Sequence, residues 1–250
     1  MVLICSKYRS MLKRFLPFLI FLLSFSAANA QMYNANHYYR SALEYKKNNK
    51  FSEALADLTK AVSINKKFDS AHFEMGNIYA LGGHTDLAIG SYKTVLALNP
   101  NYPAALIAMG KIYRDVKQNL DSALIYYHAA AKIDNSNKEV FYALAWIYNV
   151  RKEYDNAIFN AVRSLEIDNK YKPAYGELGH AYNASKRFAD CIEQLKKNLA
   201  VSVVDVAYLY SGFAYTELKN KEGAMQQYEE LKKINERMAT SLKKKIDAME

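Results

Sequence analysis

The sequence predicts an all-α solenoid of about six helix-turn-helix repeats, and two regularities predict it. A tyrosine recurs at intervals of 34, 34, 35, 34 and 33 residues, as Tyr45, Tyr79, Tyr113, Tyr148, Tyr182 and Tyr215. A small residue lies three positions before each tyrosine, and another lies nine or ten positions after it. A period of this length over most of a chain is typical of stacked supersecondary units and excludes a single globular core.

Within one repeat the apolar residues have helical spacing. Met75, Ile78 and Tyr79 follow the i, i+3, i+4 pattern of one helix face. Residues 81–86 contain two adjacent glycines and predict a tight turn. A second apolar stripe then ends at Pro100, because proline and the residue before it disfavour further helix. Each repeat is therefore expected to be a helix, a turn and a second helix.

The period divides the chain into a regular array with two short ends. The repeats are expected near residues 35–68, 69–102, 103–137, 138–171, 172–204 and 205–238, after a lead at 31–34. Residues 239–250 place Leu242, Ile246 and Met249 on one face, which predicts a capping helix for the last repeat.

The second repeat combines the residues Met75-Gly76, Tyr79, Ala88, Tyr92 and Pro100. This combination resembles the tetratricopeptide repeat (TPR), as found in exported bacterial TPR proteins. The resemblance implies a right-handed α-solenoid whose first helices line a concave, protein-binding face. The sequence departs from the family pattern where Ala161 and Leu195 replace the second aromatic residue.

Residues 1–30 have the pattern of a secretory signal peptide. Basic residues precede the apolar run Phe15 to Ala27, and Ala28-Asn29-Ala30 offers a cleavage site after Ala30. The run is shorter than a membrane span, so cleavage is favoured over an uncleaved anchor. Met11 is an alternative start. We expect an exported protein, periplasmic or secreted and associated with the outer envelope, without a stable membrane span after cleavage.

Composition narrows the class of function. The net charge is +9, and removing residues 1–30 with their four basic residues leaves 30 basic against 25 acidic residues, or +5. This charge does not call for a nucleic-acid partner. The remaining Cys191 occupies a small-residue position and is expected to be a packing residue. We find no catalytic, cofactor or metal motif and therefore expect no enzyme, no cofactor and no metal site.

The resemblance places one set of side chains on the concave face. The residues expected to bind a partner there are Tyr39, Phe73, Asn77, Lys111, Arg114, Tyr142, Trp146, Asn149, His180, Asn183 and Phe213. The centre is expected at Tyr142, Trp146, Asn149 and Asn183, with Gly176 leaving room beside Trp146. Aromatic residues and Arg are enriched at binding hot spots. The alternative is that these aromatic side chains pack between repeats.

The expected function is a non-enzymatic scaffold that binds a protein or peptide partner in the cell envelope. A carbohydrate- or peptidoglycan-binding module is one alternative, because aromatic side chains also stack on sugar rings. An accessory subunit of an envelope enzyme is another. The sequence leaves the oligomeric state open.

Overall fold

A computed structural model describes residues 34–249, which form helices and contain no strand. The helices are α1 (34–47), α2 (Phe51–Ile64), α3 (Asp69–Leu81), α4 (Thr85–Leu98), α5 (Pro103–Asp115), α6 (Leu120–Ile133), α7 (Lys138–Val150), α8 (Tyr154–Ile167), α9 (Lys172–Ala184), α10 (Phe188–Val201), α11 (Asp205–Glu217), α12 (Lys221–Ile234) and α13 (Glu236–Asp247). None of the helices described is long and apolar enough to cross a bilayer. The all-α fold is confirmed. The expected signal peptide lies outside the described residues.

The turn inside each helix pair has the same backbone conformation. One residue, two positions before the second helix, has a φ between 51° and 75°: Asn49, Gly83, Gln118, Lys152, Lys186 and Lys219. The next backbone N–H donates to the carbonyl of the recurring tyrosine at 2.8 to 2.9 Å. This hydrogen bond closes the helix end in the manner of a left-handed C-cap and offsets the cost of positive φ in the non-glycine residues.

The chain divides into two compact units between Ala105 and Leu106. In the N-terminal unit (residues 34–105), small residues of α1, α2 and α3 pack around Leu58 and Ile78. The C-terminal unit (residues 106–249) has a larger core, in which Tyr175, Leu178 and Leu195 are fully buried. In both units the alanines that follow the recurring tyrosines are buried, so the second helices pack closely against their neighbours.

Glycines of the first helices make room for large side chains. A Cβ on Gly76 would lie 2.6 Å from Cε1 of Tyr92, and one on Gly110 would lie 3.0 Å from Cε1 of Tyr127. Both tyrosines are fully buried, whereas most of the recurring tyrosines are only half-buried. The main packing role in these two repeats therefore belongs to the tyrosine of the second helix.

The last helix packs on the final helix pair. Helix α13 buries Leu242 and Ile246 against α11 and α12. It begins at Glu236, three residues before the expected boundary at 239, because Asn235 ends α12 and caps α13. The Asn235 side chain accepts a 3.2 Å hydrogen bond from the N–H of Met238.

Candidate functional site

In the N-terminal unit, two of the expected partner-binding residues contact the same tyrosine. The ring of Phe73 lies 5.7 Å from that of Tyr92 and 5.1 Å from that of Tyr102. The hydroxyl of Tyr92 donates a 2.8 Å hydrogen bond to Oδ1 of Asn77. Both side chains are half-buried, so part of each packs within the unit, as the alternative interpretation of the sequence holds for the aromatic residues.

Tyr39 and Lys111 are two further residues of the expected partner-binding set. Tyr39 packs its ring 4.9 Å from that of Phe68, within the N-terminal unit. Lys111, in the C-terminal unit, is exposed and forms no salt bridge with any residue that the structure describes. Neither of them lines the two concavities described next.

Arg114 is held between two aromatic rings of the C-terminal unit. Its Cζ lies 5.9 Å from the ring centre of Tyr127 and 5.7 Å from that of Trp146. Its guanidinium donates to both carboxylate oxygens of Asp115, at 2.6 and 2.9 Å, and this pairing raises the pKa of Arg114 above its ordinary value. The Arg114 guanidinium therefore makes a cation–π contact with the Trp146 ring, and Asp115 is its counter-ion.

A cleft of about 540 Å³, here the Trp146 cleft, opens beside this tryptophan. Its lining residues come from α7, the turn after it, the first residue of α8, α9 and α11: Trp146, Asn149, Val150, Lys152, Tyr154, Gly176, Glu177, His180 and Tyr210. A Cβ on Gly176 would meet no atom within 4 Å. The space expected beside Trp146 is therefore present. Tyr142 lies outside this lining, and its ring packs edge-on against Tyr171 at 5.8 Å.

Asn149 forms part of the buried wall of the Trp146 cleft. It is only 5% exposed, and its Nδ2 donates to the backbone oxygen of Glu177 at 2.9 Å and to Oε2 of the same residue at 2.8 Å. Both N–H groups of the amide are thus used. Its Oδ1 is buried without a hydrogen-bond partner, and such an acceptor costs about 1–3 kcal/mol.

A smaller pocket of about 220 Å³, here the Phe213 pocket, shares His180 and Tyr210 with the Trp146 cleft. Its lining residues are Gly179, His180, Asn183, Phe188, Cys191, Tyr210, Phe213, Ala214 and Lys245. Lys245 of α13 lies 4.9 Å from the centre of the Phe213 ring and forms a 3.1 Å salt bridge with Glu217. The last helix therefore contributes directly to this pocket.

Tyr210 lies between the two concavities because the helix pair α9 and α10 departs from the packing of the earlier pairs. Where α4 and α6 carry a tyrosine over a first-helix glycine, α10 carries Leu195. The ring of Tyr210, from α11, covers Gly179 instead, and a Cβ on that glycine would lie 2.3 Å from Cγ of Tyr210. Burial raises the pKa of the Tyr210 hydroxyl. The missing aromatic at Leu195 was the one sequence signal for this rearrangement.

The structure thus brings part of the expected set together. The expected residues that line one or both concavities are Trp146, Asn149, His180, Asn183 and Phe213. Sequence reasoning missed Glu177, Tyr210 and Lys245, which reach the site through contacts between helices. The surface offers aromatic faces, amides and charged rims, and these groups suit binding of a peptide-like ligand. Among residues 34–249, no three His, Cys, Asp or Glu side chains are placed to hold a metal ion.

Cys191 lies on the floor of the Phe213 pocket, and its thiol is expected to be unreactive in the folded protein. Burial raises the pKa of this thiol from 9.0 to about 12. Because the thiolate is the reactive form, labelling by a disulfide reagent at about pH 8 should be on the order of a thousandfold slower than in denaturant. The full sequence has a second cysteine, Cys5, within residues 1–30, and the Cys191→Ala variant measures its labelling separately. Equal labelling rates in the folded and unfolded protein would contradict the buried position.

The same pKa difference predicts a pH dependence. Between pH 9 and 12 the unfolded chain loses the Cys191 proton that the folded chain retains. The contribution of this group to stability should therefore be complete below pH 9 and decline as the pH rises through that window.

Models of the tetratricopeptide repeat match three segments of the chain. A TPR model matches residues 76–115, and two further models described as tetratricopeptide repeat match residues 35–68 and 206–235. The chain is a tetratricopeptide repeat protein. Its matched segments begin near the N-terminus of the described residues and reach α12, in agreement with the helix pairs.

Known proteins similar to this TPR protein include the photosystem I assembly protein Ycf3 of a Synechococcus species, which is 32% identical over 88 residues, 34% of this chain and 51% of that protein. The chain spans about half or less of the length of the curated relatives it matches.

Two solved structures share the fold. One is PilW, a type IV pilus biogenesis factor, with a TM-score of 0.57, 16% identity and coverage of 83% of this chain and 97% of that one. The other is YrrB, described as a TPR protein with an unusual peptide-binding site, with a TM-score of 0.59, 19% identity and coverage of 75% and 97%.

Proposed function

We propose that this protein is a non-enzymatic scaffold that binds an extended protein segment along the Trp146 cleft and the Phe213 pocket. The observation that carries the proposal is their shared boundary: His180 and Tyr210 line both concavities. A segment lying across that boundary contacts two neighbouring concavities at once. Aromatic walls with a few polar groups are the usual lining of a binding site.

The two concavities suit different parts of such a segment. An apolar cavity of about 150 Å³ holds a benzene ring, so the Phe213 pocket, at about 220 Å³, has room for one large apolar side chain. The wider Trp146 cleft, at about 540 Å³, has room for backbone and a polar side chain. The peptide-binding site named for YrrB and the assembly role named for Ycf3 are consistent with a binding scaffold.

We place this scaffold in the cell envelope, exported by the signal pattern of residues 1–30. The pilus biogenesis role named for PilW supports such a location. Mass spectrometry of the protein from its native cells tests the expected cleavage after Ala30. A mature chain that retains residues 1–30 would contradict the cleaved signal.

Trp146→Ala should weaken partner binding at least about tenfold, because hot-spot tryptophans commonly contribute 2 kcal/mol or more. The probes are short peptides selected from a random displayed library against the full chain, with affinity measured by fluorescence anisotropy. Binding should also change the emission of Trp146, the only tryptophan. Circular dichroism and urea unfolding establish that the variant remains folded.

Phe159→Ala is the matched control, because Phe159 is a 66% exposed aromatic residue of the same unit that lines neither concavity. This variant should bind as the wild type does. Equal binding by wild type and Trp146→Ala would contradict the proposed site. If the protein bound purified peptidoglycan fragments and the library yielded no binding peptide, the carbohydrate-binding alternative would be favoured.

A further inference from the structure

Glu177 is a carboxylate without a counter-ion, on the wall of the Trp146 cleft. Among residues 34–249 it forms hydrogen bonds with Asn149 and no salt bridge. Glu74 is the sixth residue of α3, as Glu177 is of α9, and it is paired with Lys46 at 2.6 Å. The repeat position is therefore the same, but Glu177 has an asparagine contact where Glu74 has a salt bridge.

Asn149 holds this carboxylate in place. Its two N–H groups are occupied by Glu177, which fixes the orientation of the amide and of the carboxylate that it contacts. The Oδ1 of Asn149 is buried and has almost no accessible surface. The acceptor offered to a ligand in the cleft is therefore the carboxylate of Glu177.

Part of the wall around this carboxylate is aromatic. Trp146 and Tyr210 both line the cleft with Glu177. Burial, and after it the charge of Glu177, raises the pKa of Tyr210 and of Tyr142, so the field of the carboxylate reaches both side chains. A negative charge in a cleft lined by aromatic rings attracts a cation. Lys152 and His180 also line the cleft, and Lys152 lies in an exposed turn where solvent and salt screen its charge.

We infer that the Trp146 cleft binds a basic side chain, lysine or arginine, of the partner segment, with Glu177 as the counter-charge. The inference rests on the proposed function, because it names the chemistry of the segment that the scaffold binds. An arginine has five N–H donors and a plane that stacks on aromatic rings, so it can pair with the carboxylate and stack on one aromatic wall together. A lysine makes the same charge pair with fewer contacts.

The test uses the full chain and the peptides selected from the random library. Selected peptides should contain a lysine or arginine, and replacing it by norleucine should weaken binding to the wild type about tenfold, the range of one charged hydrogen bond. Glu177→Gln should weaken binding of the parent peptide by a similar factor. In that variant, replacing the basic residue of the peptide by norleucine should have no further effect on affinity. The glutamine oxygen still accepts from Asn149, so the fold is expected to remain intact.

Glu74→Gln is the matched control, because it neutralises the carboxylate at the same repeat position outside the cleft. It should leave peptide affinity unchanged. Peptides that require Trp146 but bind wild type and Glu177→Gln equally would overturn the inference and leave the proposed function standing. Peptides that bind equally to wild type and Trp146→Ala, or a selection without binders, would overturn both.

Discussion

Replacing Gly179 by alanine is expected to lower the free energy of unfolding of the C-terminal unit by about 1–3 kcal/mol, the usual cost of overpacking a core. The added Cβ would lie 2.3 Å from both Cγ and Cδ1 of Tyr210. These atoms belong to the base of the ring, which cannot move aside as the end of a flexible chain can. The ring would have to shift and disturb the boundary between the Trp146 cleft and the Phe213 pocket.

Gly176→Ala, on the same helix, is the matched control. A Cβ there meets no atom within 4 Å, and alanine is favoured over glycine in a helix interior by about 1 kcal/mol. Urea unfolding followed by circular dichroism should therefore show opposite signs for the two substitutions. In a Tyr210→Ala background the cost of Gly179→Ala should disappear, because the clashing ring is gone. Stabilisation by Gly179→Ala in the wild type would contradict the packing described.

Leu242→Ala should destabilise the attachment of α13 by about 2–5 kcal/mol, the range for removing a buried leucine side chain. Leu242 is fully buried, and its Cδ2 lies over Gly212 of α11. Because repeats contact only their neighbours, the loss should appear first as local unfolding of the last helices. Hydrogen exchange of the α13 amides measures this opening directly.

Lys244→Ala is the control on the same helix, since Lys244 is exposed and alanine is a good helix former. It should leave the exchange rates of α13 nearly unchanged. Leu242→Ala should also weaken binding at the Phe213 pocket, because Lys245 lines that pocket. Unchanged exchange in Leu242→Ala would show that α13 does not depend on this contact, and would also contradict the capping role expected for residues 239–250.

Much of the repeat architecture could be predicted because it depends on local periodicity. The spacing of Met75, Ile78 and Tyr79 predicts a helix whatever the rest of the chain does. The turns were harder to predict. Gly83 signals a left-handed residue, but Lys152 and Lys186 take the same conformation, and their sequence carries no sign of it. The hydrogen bond to the recurring tyrosine carbonyl holds them there.

The candidate site was predicted in part, from the resemblance to the tetratricopeptide repeat. The resemblance assigns Trp146, Asn149 and His180 to the concave face, and they line the cleft. The period does not reveal that Asn149 is buried and bonded to Glu177, because that contact joins residues 28 positions apart. It also does not show that Tyr210 replaces the aromatic ring missing at Leu195.

The sequence by itself determined that this chain is an array of TPR helix pairs, because a 34-residue period of small and aromatic residues specifies each pair through neighbouring contacts. The tertiary structure alone decided which of these side chains have partners within the chain. Phe73 and Asn77 both contact Tyr92, whereas Glu177 forms no salt bridge with any residue that the structure describes. That difference arises from packing between helices, because the residues of the neighbouring helix determine whether a side chain has a packing, hydrogen-bonding or charged partner.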